Sequence, residues 1–295
     1  MFSQSLLQRY DNAAFKAAAS IMRTYSTSFS AATQLLRPVL RRDIYSLYAV
    51  VRLADEIVDG TGLAAGLGTA ECQKMLDNFE AEVLAAPHSR LHLNPVLHAF
   101  GVTTRRCGFA PAHLRAFFAS MRKDIVAAEG TLTLSAEELE EYIYGSAEVI
   151  GLLCLDIFLA EAEVTQKDRA EMEQGARALG AAFQKINFLR DIAADTHFLA
   201  RSYFPELSAS MLTQQGKNAL VAEIRADLGL AVAGTKLLPA DARLAVRAAT
   251  ALFTQLLDAL EKAPVTQVLA GRIRISNLTK LCLLGRVLVK AVRNK

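Results

Sequence analysis

The sequence predicts an all-α protein, and three observations carry that prediction. Hydrophobic residues fill 52% of the 295 positions, ample for a sizeable core. Only 7 prolines and 16 glycines interrupt the chain, too few for long linkers. Alanine and leucine are abundant while alternating β-branched runs are scarce, a balance that favours helix over strand. With no internal repeat or low-complexity segment, residues 1–295 read as a single-domain helical bundle.

Composition also sets exclusions. Mean hydropathy is high at +0.23, yet no uninterrupted apolar run reaches the roughly 18 residues of a spanning helix. The most apolar stretch, Val149 to Ala160, is short and broken by Asp156. The first residues, MFSQSLLQRYDN, lack the charged-then-apolar plan of a signal peptide, so a cytoplasmic location is expected. Cys72, Cys107, Cys154 and Cys282 have no metal or redox spacing and read as reduced core residues. A net charge of +3 is too mild to argue for nucleic acid, and none is expected as a partner.

Taken in order, the pattern places a first helix over about 10–24, then the hydroxyl cluster Tyr25-Ser26-Thr27-Ser28-Phe29-Ser30. That cluster suits a helix N-cap, or equally a diphosphate held by hydroxyls and backbone N–H groups. A helix over 41–59 follows, with Leu47, Val50, Val51, Ala54 and Val58 facing a bundle and Gly60 as C-cap. Residues 60–70 read as a flexible loop; their Gly-Leu-Gly lacks the strand of a dinucleotide fingerprint. Helices are expected over 71–85, 94–107, 111–128 and 136–160, with Phe117, Phe118 and Met121 spaced as core. Gly145 and Gly151 are costly inside a helix, which suits close approach of another helix or of a ligand. A long helix spans about 165–199, and three more cover 213–237, 240–262 and 277–293. The last is basic and amphipathic, so it either lies against a membrane surface or presents a solvated basic face.

Two helical segments concentrate the chemistry. On the long helix Asn187, Asp191 and Asp195 are spaced four and four, hence on one face together with Gln184. Arg190 lies beside them, and Arg201 and Tyr203 follow before Pro205. On the earlier helix Tyr48, Arg52, Asp55 and Asp59 share a face in the same way. Two other acidic pairs at that spacing, Glu137/Glu141 and Glu223/Asp227, sit in polar surroundings and read as solvated faces. Arg52 beside Asp55 also fits a plain structural salt bridge. Two acidic stripes embedded in apolar runs and flanked by Arg, Asn and Tyr suit a divalent metal and a polyanion.

YAVVRLADEIVDG and NFLRDIAADT…RSYFP together resemble the two aspartate-rich motifs of the squalene/phytoene synthase family. The resemblance implies an isoprenoid-synthase-type helical bundle with a central cavity, joining two allylic diphosphates head to head. Magnesium, with manganese as substitute, would be held by Asp55, Asp59, Asn187, Asp191 and Asp195. Tyr48, Arg52, Arg190, Arg201 and Tyr203 would act on the diphosphate; Ser26, Thr27, Ser28, Phe29, Gln184 and Asn187 would bind substrate. Arg272 and Arg274 are further cations within reach of a diphosphate. YIYGSAEVIG and RSYFP look most like carotenoid-pathway members, which implies two geranylgeranyl diphosphates, phytoene as product and no NADPH. The alternatives are squalene or dehydrosqualene from farnesyl diphosphate, or a catalytically silent assembly factor. Prenyl diphosphates are the expected partners, with peripheral association at the inner membrane face and no obligate protein partner. Three positions depart from the family pattern: Thr27 replaces a frequent Lys or Arg, Ala194 a frequent Glu, and Glu148 a small residue.

Overall fold

A computed structural model describes residues 2–58, 60–127, 132–198, 201–202 and 212–293. Side chains at 2–4, 63, 126–127, 132–133, 193–198, 201–202 and 290–293 lie outside that description. The fold is all-α, as the composition predicts. Its helices are α1 (Phe2–Tyr25), α2 (Thr27–Thr33), α3 (Pro38–Val58), α4 (Thr61–Ala64), α5 (Thr69–Ala85), α6 (Pro95–Cys107) and α7 (Pro111–Ala127). After them come α8 (Ala136–Ile143), α9 (Val149–Leu159), α10 (Gln166–Phe198), α11 (Gln214–Leu237), α12 (Ala240–Lys262), α13 (Val265–Ala270) and α14 (Asn277–Arg293). Among the described residues the one strand pairing is two residues long: β1 (Leu132–Thr133) lies parallel to β2 (Arg201–Ser202).

Helix α3 is central because its apolar spacing wraps most of its circumference. Leu40, Ile44, Leu47, Val50, Ala54 and Val58 are all buried, against α1, α5, α6, α7 and α9. Full burial of each larger side chain contributes roughly 1.5–3 kcal/mol. Asp43, on the same helix, is wholly buried and accepts hydrogen bonds from Thr103 (2.8 Å) and Arg106 Nε (2.8 Å) of α6. This buried pair fixes how α3 sits against α6, and leaving either partner alone would strand a charge in the core. The stripe Tyr48, Arg52 and Asp55 of α3 is only partly buried, as are its neighbours Val51, Leu53, Glu56 and Ile57.

The expected helix over 136–160 contains a π turn at Tyr144–Glu148 between α8 and α9. The glycines there are packing devices. A Cβ on Gly145 would lie 2.1 Å from Ser120 Oγ and 2.4 Å from the Ala116 carbonyl of α7. One on Gly151 would lie 2.4 Å from the Ala176 carbonyl of α10, and Gly180 of α10 meets the Ala147 carbonyl in the same way at 2.5 Å. The π turn also joins α8 and α9 into a 24-residue helix that meets the length and composition of a membrane span, which the broken apolar run did not suggest. Its apolar window is 56% buried, and it packs against α7 and α10 within the bundle.

Four expectations need correction. Residues 60–70 are not simply a loop: Gly60 ends α3 at φ +97°, then Ala64 and Ala65 N–H bonds to Gly60 and Thr61 carbonyls close the turn of α4. The C-terminal region contains an additional short helix, α13, before α14. Cys282 is exposed rather than in the core, because it falls on the outer face of α14. Glu223 and Asp227 are not merely solvated: both accept hydrogen bonds from Lys185 of α10 (2.7 Å to Asp227), tying α11 to α10. Phe117, Phe118 and Met121 are buried as expected.

Candidate active site

The N-terminal end of α2 is the junction of the site. Ser26 is its N-cap, and its Oγ accepts a hydrogen bond from Phe29 N–H (3.2 Å), so the capping reading of the hydroxyl cluster holds. The same hydroxyl is hydrogen-bonded to Tyr48 on α3. Burial pushes the Tyr48 phenol up to about 12, against the opposing charge of Arg52, so it remains an O–H donor at neutral pH. Thr27, the next residue, accepts a hydrogen bond from Lys280 of α14 (2.7 Å). Phe29 then enters an aromatic group, 5.2 Å from Phe253 of α12 and 6.0 Å from Phe183 of α10, and touches both large apolar clusters of the molecule. Ser28 is half-buried beside it. One short segment therefore touches α3, α10, α12 and α14.

On the α3 side, Arg52 stacks its guanidinium over the Tyr25 ring at 4.4 Å. It is ion-paired with Glu56 and, more loosely at 3.8 Å, with Asp55. The salt-bridge reading of Arg52 is thus correct, but its main partner is Glu56, which sequence reasoning missed although it lies at i+4. Burial pushes the Glu56 carboxyl upward; hydrogen bonds from Thr61 and Arg52, together with the Arg52 charge, outweigh this and hold it below the usual carboxylate range. Asp55 is left as the more exposed carboxylate of the pair.

On the α10 side, Arg190 forks onto Asp191 through Nε (2.9 Å) and a terminal nitrogen. Arg272, in the turn before α14, reaches the same carboxylate at 2.9 Å. Lys280 stands near Arg190: burial first, and then the Arg190 charge, push its ammonium below the usual lysine value. Two cations close enough for their like charges to be felt are an arrangement that an anion would relieve. Lys280 was missed by sequence reasoning because 253 positions separate it from Thr27. The cation absent at position 27 is supplied from the other end of the chain. Gln184 and Asn187 lie half-buried on the same face of α10, and neither side chain has a hydrogen bond among the described residues.

Asp59 and Tyr203 lie outside the described residues. Asp195 falls on α10 and Arg201 on β2, with their side chains outside the description. Among the described residues no three His, Cys, Asp or Glu side chains converge on one point. The donors present, Asp55, Asp191 and the Asn187 amide oxygen, are all hard oxygen ligands with no thiolate or imidazole beside them, a set that fits a hard divalent cation. A separate groove of about 1170 Å³, lined by Tyr144, Leu155, Arg169, Lys185 and Leu230 among others, contains none of these site residues.

The fold is all-helical, and the N-terminal end of α2 lies between Tyr48 of the first acid-and-arginine motif and Lys280, which stands near Arg190 of the second. The chain belongs to the squalene/phytoene synthase family, a family of prenyltransferases: the squalene/phytoene synthase family model matches residues 22–279. It is 27% identical over 267 residues to phytoene synthase 3, chloroplastic, of Zea mays, covering 84% of this chain and 59% of that one. It is 29% identical over 206 residues to 15-cis-phytoene synthase of Pantoea ananas, covering 68% of this chain and 62% of that one. The chain thus spans about six tenths of the length of these curated relatives. In fold it is similar to a crystal structure of a dehydrosqualene synthase in complex with ligand, with a TM-score of 0.77 at 22% identity, covering 98% and 99% of the two chains.

Proposed function

We propose that this protein condenses two geranylgeranyl diphosphates head to head to phytoene. The observation that carries the reading is the cation cluster Arg190, Arg272 and Lys280, gathered with Asp191 beside the α2 N-terminus. A diphosphate leaving group is the anion such a cluster suits, because planar guanidiniums fork onto phosphate oxygens and an ammonium acts as a point charge. Tyr48, held protonated, and Ser26 offer neutral hydrogen bonds on the α3 side. The curated phytoene synthases among its relatives favour the C20 substrate and the carotenoid route.

Asp55, Asp191 and Asn187 would hold magnesium, joined in this reading by Asp59 and Asp195; the metal, when bound, neutralises charge on the departing diphosphate. Arg190, Arg272 and Lys280 bind and orient that diphosphate. In this reading Arg201 and Tyr203 would add to the contacts with the diphosphate. Aromatic faces such as the stacked Phe183 and Phe253, 3.9 Å apart, keep the neighbouring space dry and suited to a carbocation. One allylic C–O bond breaks, the second substrate's double bond attacks, and a cyclopropylcarbinyl diphosphate results. A second ionisation and rearrangement then complete the hydrocarbon. Over the whole reaction two diphosphates and two protons leave, so no hydride donor is required. Formation of squalene from farnesyl diphosphate would instead consume one hydride.

Purified protein incubated with magnesium and geranylgeranyl or farnesyl diphosphate, with and without NADPH, tests this reading by the mass of the extracted hydrocarbon. A C40 product without NADPH is expected. A C30 product from farnesyl diphosphate alongside no C40 product would overturn the substrate assignment, and full turnover in EDTA would overturn the metal.

A further inference from the structure

We propose, resting on the condensation reading, that Glu56 is a positioning residue: it holds the Arg52 guanidinium off Asp55, so that arginine and carboxylate meet the diphosphate and its metal separately. Arg52 has two carboxylates in reach on its own helix, Asp55 at i+3 and Glu56 at i+4. One terminal nitrogen is bonded to Glu56, while the other stands 3.8 Å from Asp55, beyond hydrogen-bond distance. Glu56 wins because it is itself held. Its Oε1 accepts from Arg52, its Oε2 from the Thr61 hydroxyl, and the Tyr25 side chain is hydrogen-bonded to the same carboxyl. The left-handed Gly60 (φ +97°) turns the chain from α3 into α4, which brings Thr61 back to Glu56. The Tyr25 ring lies against the guanidinium as well, 4.4 Å from Arg52 Cζ.

Helix stability alone does not account for Glu56. It lies close to the C-terminal end of α3, at Val58, where the helix dipole disfavours a carboxylate. The order is also the weaker one, since a cation four residues before a glutamate gains less than the reverse. The group does face the site. Tyr48, whose hydroxyl is bonded to Ser26, feels the charges of Arg52, Asp55 and Glu56, so all three stand around one phenol. With the Glu56 charge removed, Asp55 at 3.8 Å is a carboxylate to which Arg52 can turn. That pairing would take a cation from the diphosphate and an oxygen ligand from the metal at once. Deleting the Glu56 charge therefore does not release Arg52 to the anion, because the guanidinium exchanges one carboxylate for the other.

Isothermal titration of the full-length protein with magnesium pyrophosphate tests this without turnover. Glu56→Gln keeps the side-chain length and a partner for Thr61 but not the charge. Its Kd should rise about 2- to 12-fold, the effect of one long side chain losing its fixed orientation. Thr61→Val should shift Kd in the same direction by a smaller factor. In an Arg52→Gln background Glu56→Gln should have no further effect, because its influence runs through that guanidinium. The half-saturating magnesium concentration in turnover should rise with Kd, which a loss of folding alone would not produce. Unchanged or tighter binding by Glu56→Gln would overturn the inference, as would a full Glu56 effect in the Arg52→Gln background. Should Glu56→Gln melt markedly lower than the unmodified protein, Thr61→Val decides, and an unchanged Kd there overturns it. No binding of magnesium pyrophosphate by the unmodified protein would overturn the condensation reading and the role of Glu56 with it.

Discussion

Removing the Lys280 ammonium separates the energetics of the free protein from those of the substrate complex. Lys280→Met keeps the length of the side chain and deletes its charge. In the free protein that charge is unfavourable, because the side chain is partly buried and Arg190 repels it. A lysine held below its unfolded value destabilises the fold while it is charged, and stability is regained as pH rises from the folded value toward the unfolded one. At neutral pH the variant should therefore melt no lower than the unmodified protein, although it loses the 2.7 Å hydrogen bond to Thr27. With a diphosphate bound the sign reverses. A charge-assisted hydrogen bond contributes about 1.5–3 kcal/mol, so kcat/KM should fall roughly 10- to 150-fold. Lys280→Arg, which keeps the charge, should recover a substantial part of the loss. Steady-state kinetics and a thermal melt on the three proteins are the assay. A kcat/KM within about twofold of the unmodified protein, or a melting temperature that falls in parallel with activity, would refute the assignment.

Two further outcomes concern the scaffold. Gly151→Ala places a Cβ 2.4 Å from the Ala176 carbonyl, where no side chain can move aside. Chemical denaturation should show a loss of about 1–3 kcal/mol, and an unchanged stability would mean that α9 and α10 are not held at this distance. For Lys185, burial alone would lower the ammonium, but hydrogen bonds to Asp227 and Glu223 and their charges outweigh it and raise it. Its contribution is therefore complete below the unfolded lysine value and is lost as pH rises through the folded one. The stability gap between the unmodified protein and Lys185→Gln, followed by urea unfolding, should hold from neutral pH to about pH 10 and shrink above that; a gap that stayed unchanged as the pH rose well beyond that range would contradict the ion pair.

The helices were legible because their signals are local. Apolar spacing on α3, the Pro and Gly punctuation around α6 and α7, and the alanine-rich run of α10 each specify helix without reference to the rest of the chain. Each acidic motif was legible for the same reason, since four-residue spacing places its members on one face. The partners of those motifs were harder to read. Arg52 was identified, yet its stronger tie is to Glu56, whose carboxylate also accepts a hydrogen bond from Thr61 across the turn after α3. Lys280 and Arg272 reach α2 and α10 only through tertiary packing of α14 on α12. The Glu223/Asp227 pair looked solvated because its cation, Lys185, lies on another helix. The π turn at Tyr144–Glu148 was masked by a uniformly helical pattern; its trace is the small-residue run Gly145-Ser146-Ala147.

The central claim is that the two motif helices act together on one diphosphate chemistry. Pyrophosphate release from geranylgeranyl diphosphate with magnesium, compared among the unmodified protein, Asp55→Ala and Asp191→Ala, tests it most directly. Both carboxylates are partly exposed, so either variant should retain its helical circular dichroism. The account predicts that release falls to background in both. Unmodified rates in either variant would contradict it.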